Sequence, residues 1–213
     1  QTPFLMRTHG LTLTEATLLI NVPTAAAASI GVAFTGFLAE KIVRRHPNAI
    51  AWLPAFGLAL SIPFYVLAFS AGNIWLVLVG LCMGAAVKYG YLAAQYTIGQ
   101  GVVGMRTRAT ATAILLFIIN LLGYGAGPPF IGYVSDFLFT AQANAEGFAD
   151  LARVSCRQAD LLAQLDAARQ AFCPVANAKA LQDSLMIVSA LYIVPAIFFL
   201  LCVKTLQKDL VAK

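Results

Sequence analysis

Lys88 stands near the middle of an otherwise uncharged apolar stretch. A charge at that depth of a bilayer costs at least ~2.5–3.5 kcal/mol on insertion scales, so such residues face a cavity, pair with an acid or bind an anion. Gly80, Gly84, Lys88, Tyr91 and Gln95 recur at helical spacing and share one face. The small residues suit helix contact, and the polar ones suit a pathway wall. Two readings of Lys88 are open: a cationic anchor for a phosphate or carboxylate, or a structural ion pair with an acid outside these residues. Asn120 and Tyr124 form a second polar pair at i, i+4, and Asn21 and Thr24 a third at i, i+3. Each lines a cavity or hydrogen-bonds a neighbouring helix. Arg7 and His9 read as interfacial, and Asp136 guides an exit or caps a turn.

Cys156 and Cys173 fall in a polar interlude and read as a disulfide in an oxidising compartment, with two free thiols as the alternative. Cys82 and Cys202 read as packing residues. The only histidines are His9 and His46, and no metal-ligand or nucleophile constellation accompanies them, so neither an enzyme nor a cofactor is expected.

These residues sit in a chain that is 60% hydrophobic and 11% charged, against about 25% charged in soluble domains. Several apolar runs reach the roughly 20 residues that cross a bilayer. The net charge of +5 lies mostly in short loops, with no basic patch interleaved with aromatics, so it reads as topology and not as nucleic-acid binding.

Pro3 to Arg7 reads as the tail of a truncated helix. Thr12 and Glu15 have the spacing of a capping box, and spans follow at about 16–39, 49–70, 74–98, 109–139 and 185–203. Pro54 and Pro63 are expected to bend their span, Gly127-Pro128-Pro129 to kink or unwind the fourth, and Pro195 lies inside the last. Residues 140–183 form a polar segment outside the membrane, with one or two short amphipathic helices carrying Phe148, Leu151, Leu161, Leu162 and Leu165; residues 184–213 add a last helix and tail. Lys41, Arg44, Arg45, Arg106, Arg108, Lys204, Lys208 and Lys213 all fall on one side of this threading. The positive-inside rule makes that side cytoplasmic.

Gly36-Phe-Leu-Ala-Glu40-Lys41-Ile-Val-Arg44-Arg45 resembles the G-x-x-x-D-[RK]-x-G-[RK]-[RK] loop of the major facilitator superfamily, with Glu40 for Asp, Lys41 for the usual Arg and Val43 for Gly. Arg106-Thr-Arg108-Ala-Thr-Ala-Thr-Ala, then Asn120-Leu-Leu-Gly and Gly127-Pro128, resemble helix 11 of the Spinster-like branch, and Thr205 to Leu210 resembles bacterial members. The resemblance implies an all-α membrane protein, the six-helix C-terminal half (helices 7–12) of that fold, completed by an N-terminal half. It implies secondary transport by alternating access of an amphiphilic solute such as a lysolipid or sphingoid phosphate, in some members proton-coupled, in a bacterial inner membrane. A small organic anion as cargo, or a receptor of the same fold, are the alternatives. The basic loop has a gating role in the family. Its chemistry predicts that Glu40 pairs with Arg106 or Arg108 when the cytoplasmic side closes.

Overall fold

The protein, seen in a computed structural model that describes residues 1–46, 48–151, 156 and 158–206, is all-helical among those residues. Among the described residues five helices are long and apolar enough to cross a membrane: Leu13–Val43, Ala49–Ser70, Ile74–Gly101, Met105–Ala145 and Ala167–Cys202, here the first to fifth spans. The chain is an integral, multi-pass membrane protein.

A short helix, Thr2–His9, precedes them and is closed by Gly10 in the left-handed region (φ 65°). Thr12 then caps the first span as a capping box: its hydroxyl accepts from the Glu15 N–H, and the Glu15 carboxylate accepts from the Thr12 N–H at 2.9 Å.

Proline accounts for the irregular turns. A proline ring clashes with the carbonyl four residues earlier and cannot donate to it. The wide, π-helical turns at Ala16–Asn21 and Ile119–Ala126 lie just ahead of Pro23 and Pro128. The fifth span breaks at Leu191 and Tyr192, between Ala167–Ala190 and Ile193–Cys202. Leu191 is the residue four before Pro195, and its carbonyl accepts from the Val194 N–H at 3.0 Å instead. The second span runs unbroken through Pro54 and Pro63.

The third span breaks as well, at Tyr89 and Gly90, separating Ile74–Lys88 from Tyr91–Gly101. No proline causes this. Gly90 lies against the Thr35 side chain of the first span, where a Cβ would stand 2.6 Å from it.

Packing follows small residues, as it must where lipid is as apolar as leucine. A Cβ on Gly31 would collide with the Ala86 backbone, so the first and third spans cross there in direct contact. Gly80 meets the second span in the same way, with a Cβ 2.8 Å from that of Ala68. Where Thr2–His9 joins the first, second, third and fifth spans, Phe4, Leu5, Tyr65, Phe69 and Leu81 form the main core, with Phe4 edge-on to Phe69 at 5.3 Å.

The fifth span's helix begins at Ala167, well before position 185, and Gly127–Ala145 likewise runs past position 139. Together they build a cap. Phe139, Ala143, Leu151, Cys173, Ala176 and Ala180 form its core, with Phe148, Leu162 and Leu165 packed around them. Among the described interlude residues only Ala159–Leu162 is a separate short helix. Phe148 and Leu151 serve the core from a turn, not from the amphipathic helix their spacing suggested. Residues 152–155 and 157, and the tail from 207 with Lys208, Lys213 and Asp209, lie outside the described residues.

Candidate functional site: a lysine between two helix breaks

Lys88 is the last residue before the break in the third span, and Tyr192 lies in the break of the fifth. The two breaks face each other. The Lys88 ammonium donates a long bond to the Tyr192 hydroxyl at 3.5 Å, across 104 positions of sequence. Three rings surround it, with centroids 4.5 Å (Tyr89), 5.1 Å (Tyr192) and 5.3 Å (Tyr65) from Nζ. Each aromatic face attracts the cation. The end of Ile74–Lys88 adds the negative pole of a helix. Among the described residues no carboxylate lies within ion-pair distance of Lys88.

An open cleft of about 340 Å³ runs beside it, lined by Leu58, Lys88, Tyr91, Gln95, Tyr192 and Phe199. Lys88, Tyr91 and Gln95 therefore share a wall, while Gly80 and Gly84 pack on the second span, Gly84 under the Tyr65 ring. The cleft offers one cation, tyrosine hydroxyls and an amide over an apolar floor. That chemistry suits an anionic group with an apolar neighbour. Tyr65, Tyr89 and Tyr192 carried no sequence signal of their own, because they arrive from three elements. Pro195 was the visible clue, displaced from the break by its own geometry.

The other polar residues do not line this cleft. Asn120 is exposed, and its amide donates to the Leu116 carbonyl of its own helix at 2.7 Å. Tyr124, 78% exposed, stands on the same fourth span, outside the cleft lining but within electrostatic range of Tyr89 and Tyr91. Asn21 donates to the Thr2 hydroxyl at 3.0 Å, tying the first span to the short N-terminal helix, and Thr24 lies 3.9 Å from the Cys82 sulfur.

The basic segment is helical, not a loop: Gly36, Glu40 and Lys41 continue the first span, and the chain turns only at Arg44 and Arg45. Glu40 pairs with Arg44 at 2.6 Å, one helical turn away, and not with Arg106 or Arg108. Arg106 is exposed in the turn between the third and fourth spans. That turn is bridged by Gln100, which donates to Thr112 at 3.1 Å. The Arg108 Nε is buried with no hydrogen-bond partner among the described residues. In the cap, Cys156 and Cys173 form a disulfide with a Cα–Cα distance of 5.2 Å. Arg169 reinforces it, pairing with Asp150 at 3.0 Å and Asp166 at 3.5 Å while lying over Phe148.

No family model matches the chain. An MFS-type efflux pump of Mycolicibacterium smegmatis is 33% identical over 135 residues, which are 63% of this chain and 31% of the pump. Two crystal structures of a bacterial homologue of the human lysosomal transporter Spinster also match, both inward-facing. The unoccupied one gives a TM-score of 0.84 at 32% identity over 99% of this chain and 44% of its own. The occupied one gives 0.85 at 34% identity over 100% of this chain and 46% of its own. The chain thus spans less than half the length of these relatives. Its membrane helices, packed as in those structures, and its sequence identity along their course give it the fold of half of a Spinster-like transporter and a similarity to the major facilitator superfamily.

Proposed function

We propose that this chain forms one half of a secondary transporter that moves an amphiphilic, anionic solute, of the lysolipid or sphingoid phosphate kind, by alternating access. The observation that carries this reading is Lys88, held by three tyrosine rings between two helix breaks, with no carboxylate partner among the described residues. Transporter sites form where discontinuous helices meet near the bilayer midplane. A phosphate or carboxylate in the cleft takes the ammonium as its counter-ion, and the apolar wall of Leu58 and Phe199 takes the start of a tail. The greater length of the relatives supports a second helical half as partner, completing the cavity. The basic ends of the spans face the cytoplasm of a bacterial cell, and the disulfide-bearing cap, residues 140–183, lies outside. In the closed state Glu40 leaves Arg44 for Arg106 or Arg108 and latches the cytoplasmic ends.

The test is flux into proteoliposomes of the full-length protein, comparing a lysolipid with a small organic anion for wild type and Lys88→Ala. Lysolipid flux that falls at least tenfold with the substitution is the expected result; unchanged flux overturns the anchor role. The cleft's size favours a second reading, because about 340 Å³ holds a head group more readily than a whole amphiphile. Lysine-dependent flux of the small anion alone would select it.

A further inference from the structure

The first and second spans diverge as they cross the third, and the gap between them is an apolar groove. Two adjoining cavities, about 400 Å³ and about 250 Å³, share Thr35, Leu53 and Gly90 and so form one channel. It follows the first span from Ile30 to Val43, about 20 Å at the rise of a helix. That exceeds the ~15 Å of one leaflet of hydrocarbon. Phe56 of the second span forms a wall, and Ala93 beyond the Tyr89 break forms part of the floor.

The groove's end is charged. Phe37, Glu40, Lys41 and Arg44 surround a further recess of about 260 Å³ that shares Glu40 with the groove, and Arg45 follows in the turn, beside His46 and Trp52 in a separate recess. Glu40 is neutralised by Arg44, so Lys41 and Arg45 have no carboxylate within ion-pair distance among the described residues. An apolar channel inside a membrane span, with uncompensated cations beside its interfacial end, is complementary to a molecule with one long tail and a negative head.

We propose that this groove holds an anionic phospholipid of the surrounding bilayer, one acyl chain along the channel and its phosphate at the uncompensated Lys41 and Arg45. The lipid is a resident of the fold and not the cargo, whose anchor is Lys88 on another face. It fills the space where the first and second spans fail to meet.

Delipidated full-length protein, titrated with phosphatidylglycerol or phosphatidylcholine of identical chains, tests this by native mass spectrometry and thermal unfolding. Wild type is expected to retain phosphatidylglycerol at least tenfold more tightly and to unfold at higher temperature with it. The Lys41→Gln/Arg45→Gln pair is expected to weaken that lipid about 30-fold, from about 1 kcal/mol per basic residue at an anionic surface, and to erase the head-group difference. Ala39→Phe, which fills the channel, is expected to weaken both lipids equally. Equal binding of the two lipids by wild type overturns the proposal. So does a phosphatidylglycerol preference that survives the double substitution, or lipid-insensitive stability, the result expected if a helix of the second half occupies the groove.

Discussion

Cys156→Ser should loosen the cap and leave the membrane spans standing. The disulfide joins positions 17 apart. Closing a loop of that length removes chain entropy from the opened state worth about 3 kcal/mol at 25 °C, on the loop-closure account. Cys156 is the better partner to change. Cys173 is fully buried among Phe139, Ala143 and Ala180, where a serine would add the separate cost of a buried hydroxyl. The cap core is bounded by the paired helices 127–145 and 167–190, so the loss appears as local opening. At 1.36 kcal/mol per decade, 3 kcal/mol is roughly a 150-fold loss of protection. Amide hydrogen exchange of the full-length protein, read over residues 159–181, measures this directly. Treating wild type with a reductant should reproduce it, and exchange of the Ala49–Ser70 span should not change. If Cys156→Ser and reduced wild type both exchange within threefold of the oxidised protein over 159–181, the cap is held by its apolar core alone and the argument fails.

Four further outcomes follow from the same geometry. Gly31→Val should prevent the first and third spans from crossing at Ala86 and lower the unfolding temperature sharply, whereas Gly36→Ala, which meets open space, should change it little; thermal unfolding of the two side by side is the check. Glu40→Gln should cost no more than about 0.5 kcal/mol of stability, since it breaks an exposed i, i+4 pair, yet should raise labelling of single cysteines facing the cytoplasmic cavity if the latch operates. Arg169→Ala should destabilise the cap by about 1 kcal/mol through its half-exposed ion pairs and lost cover of Phe148, visible as faster exchange near residue 148. Burial holds the His9 imidazole below its ordinary value of 6.5, so the folded state prefers it neutral: docking of Thr2–His9 is at full strength above pH 6.5 and weakens as the pH falls, and exchange protection over residues 2–10, measured against the intrinsic rate at each pH, should fall between pH 7 and pH 5.

Lys88 was legible in the sequence because one charge in a long apolar run has few explanations. Its surroundings were not. Tyr65 and Tyr192 reach it through the crossing of the second, third and fifth spans, and a crossing depends on where glycines such as Gly80 let backbones approach. The break at Tyr89 was hidden for a related reason, since no proline marks it and the Thr35 side chain that lies against Gly90 comes from another span. The breaks and wide turns near Pro23, Pro128 and Pro195 had a visible cause but a displaced position, because the clash falls four residues upstream. The basic segment read as a loop from its charge. It folds as a helix in which Glu40 and Arg44 support each other across one turn, with no proline between Pro23 and Pro47. The start of the last helix was masked by polarity: Ala167 to Ser184 alternates apolar core contacts with charges that face water, which hydropathy alone averages away.

The lysine's partners also differ in age. A ribosome adds about 5–20 residues per second. The 104 positions between Lys88 and Tyr192 therefore correspond to about 5–20 seconds of synthesis during which the ammonium is already in the bilayer and its hydroxyl partner does not yet exist. Neither half of the third span, Ile74–Lys88 or Tyr91–Gly101, is long enough to cross alone, so the charge must be carried through as the joint of the two. Tyr65 and Tyr89, made before or beside it, are the chaperones of that interval, and Tyr192 closes the cage last.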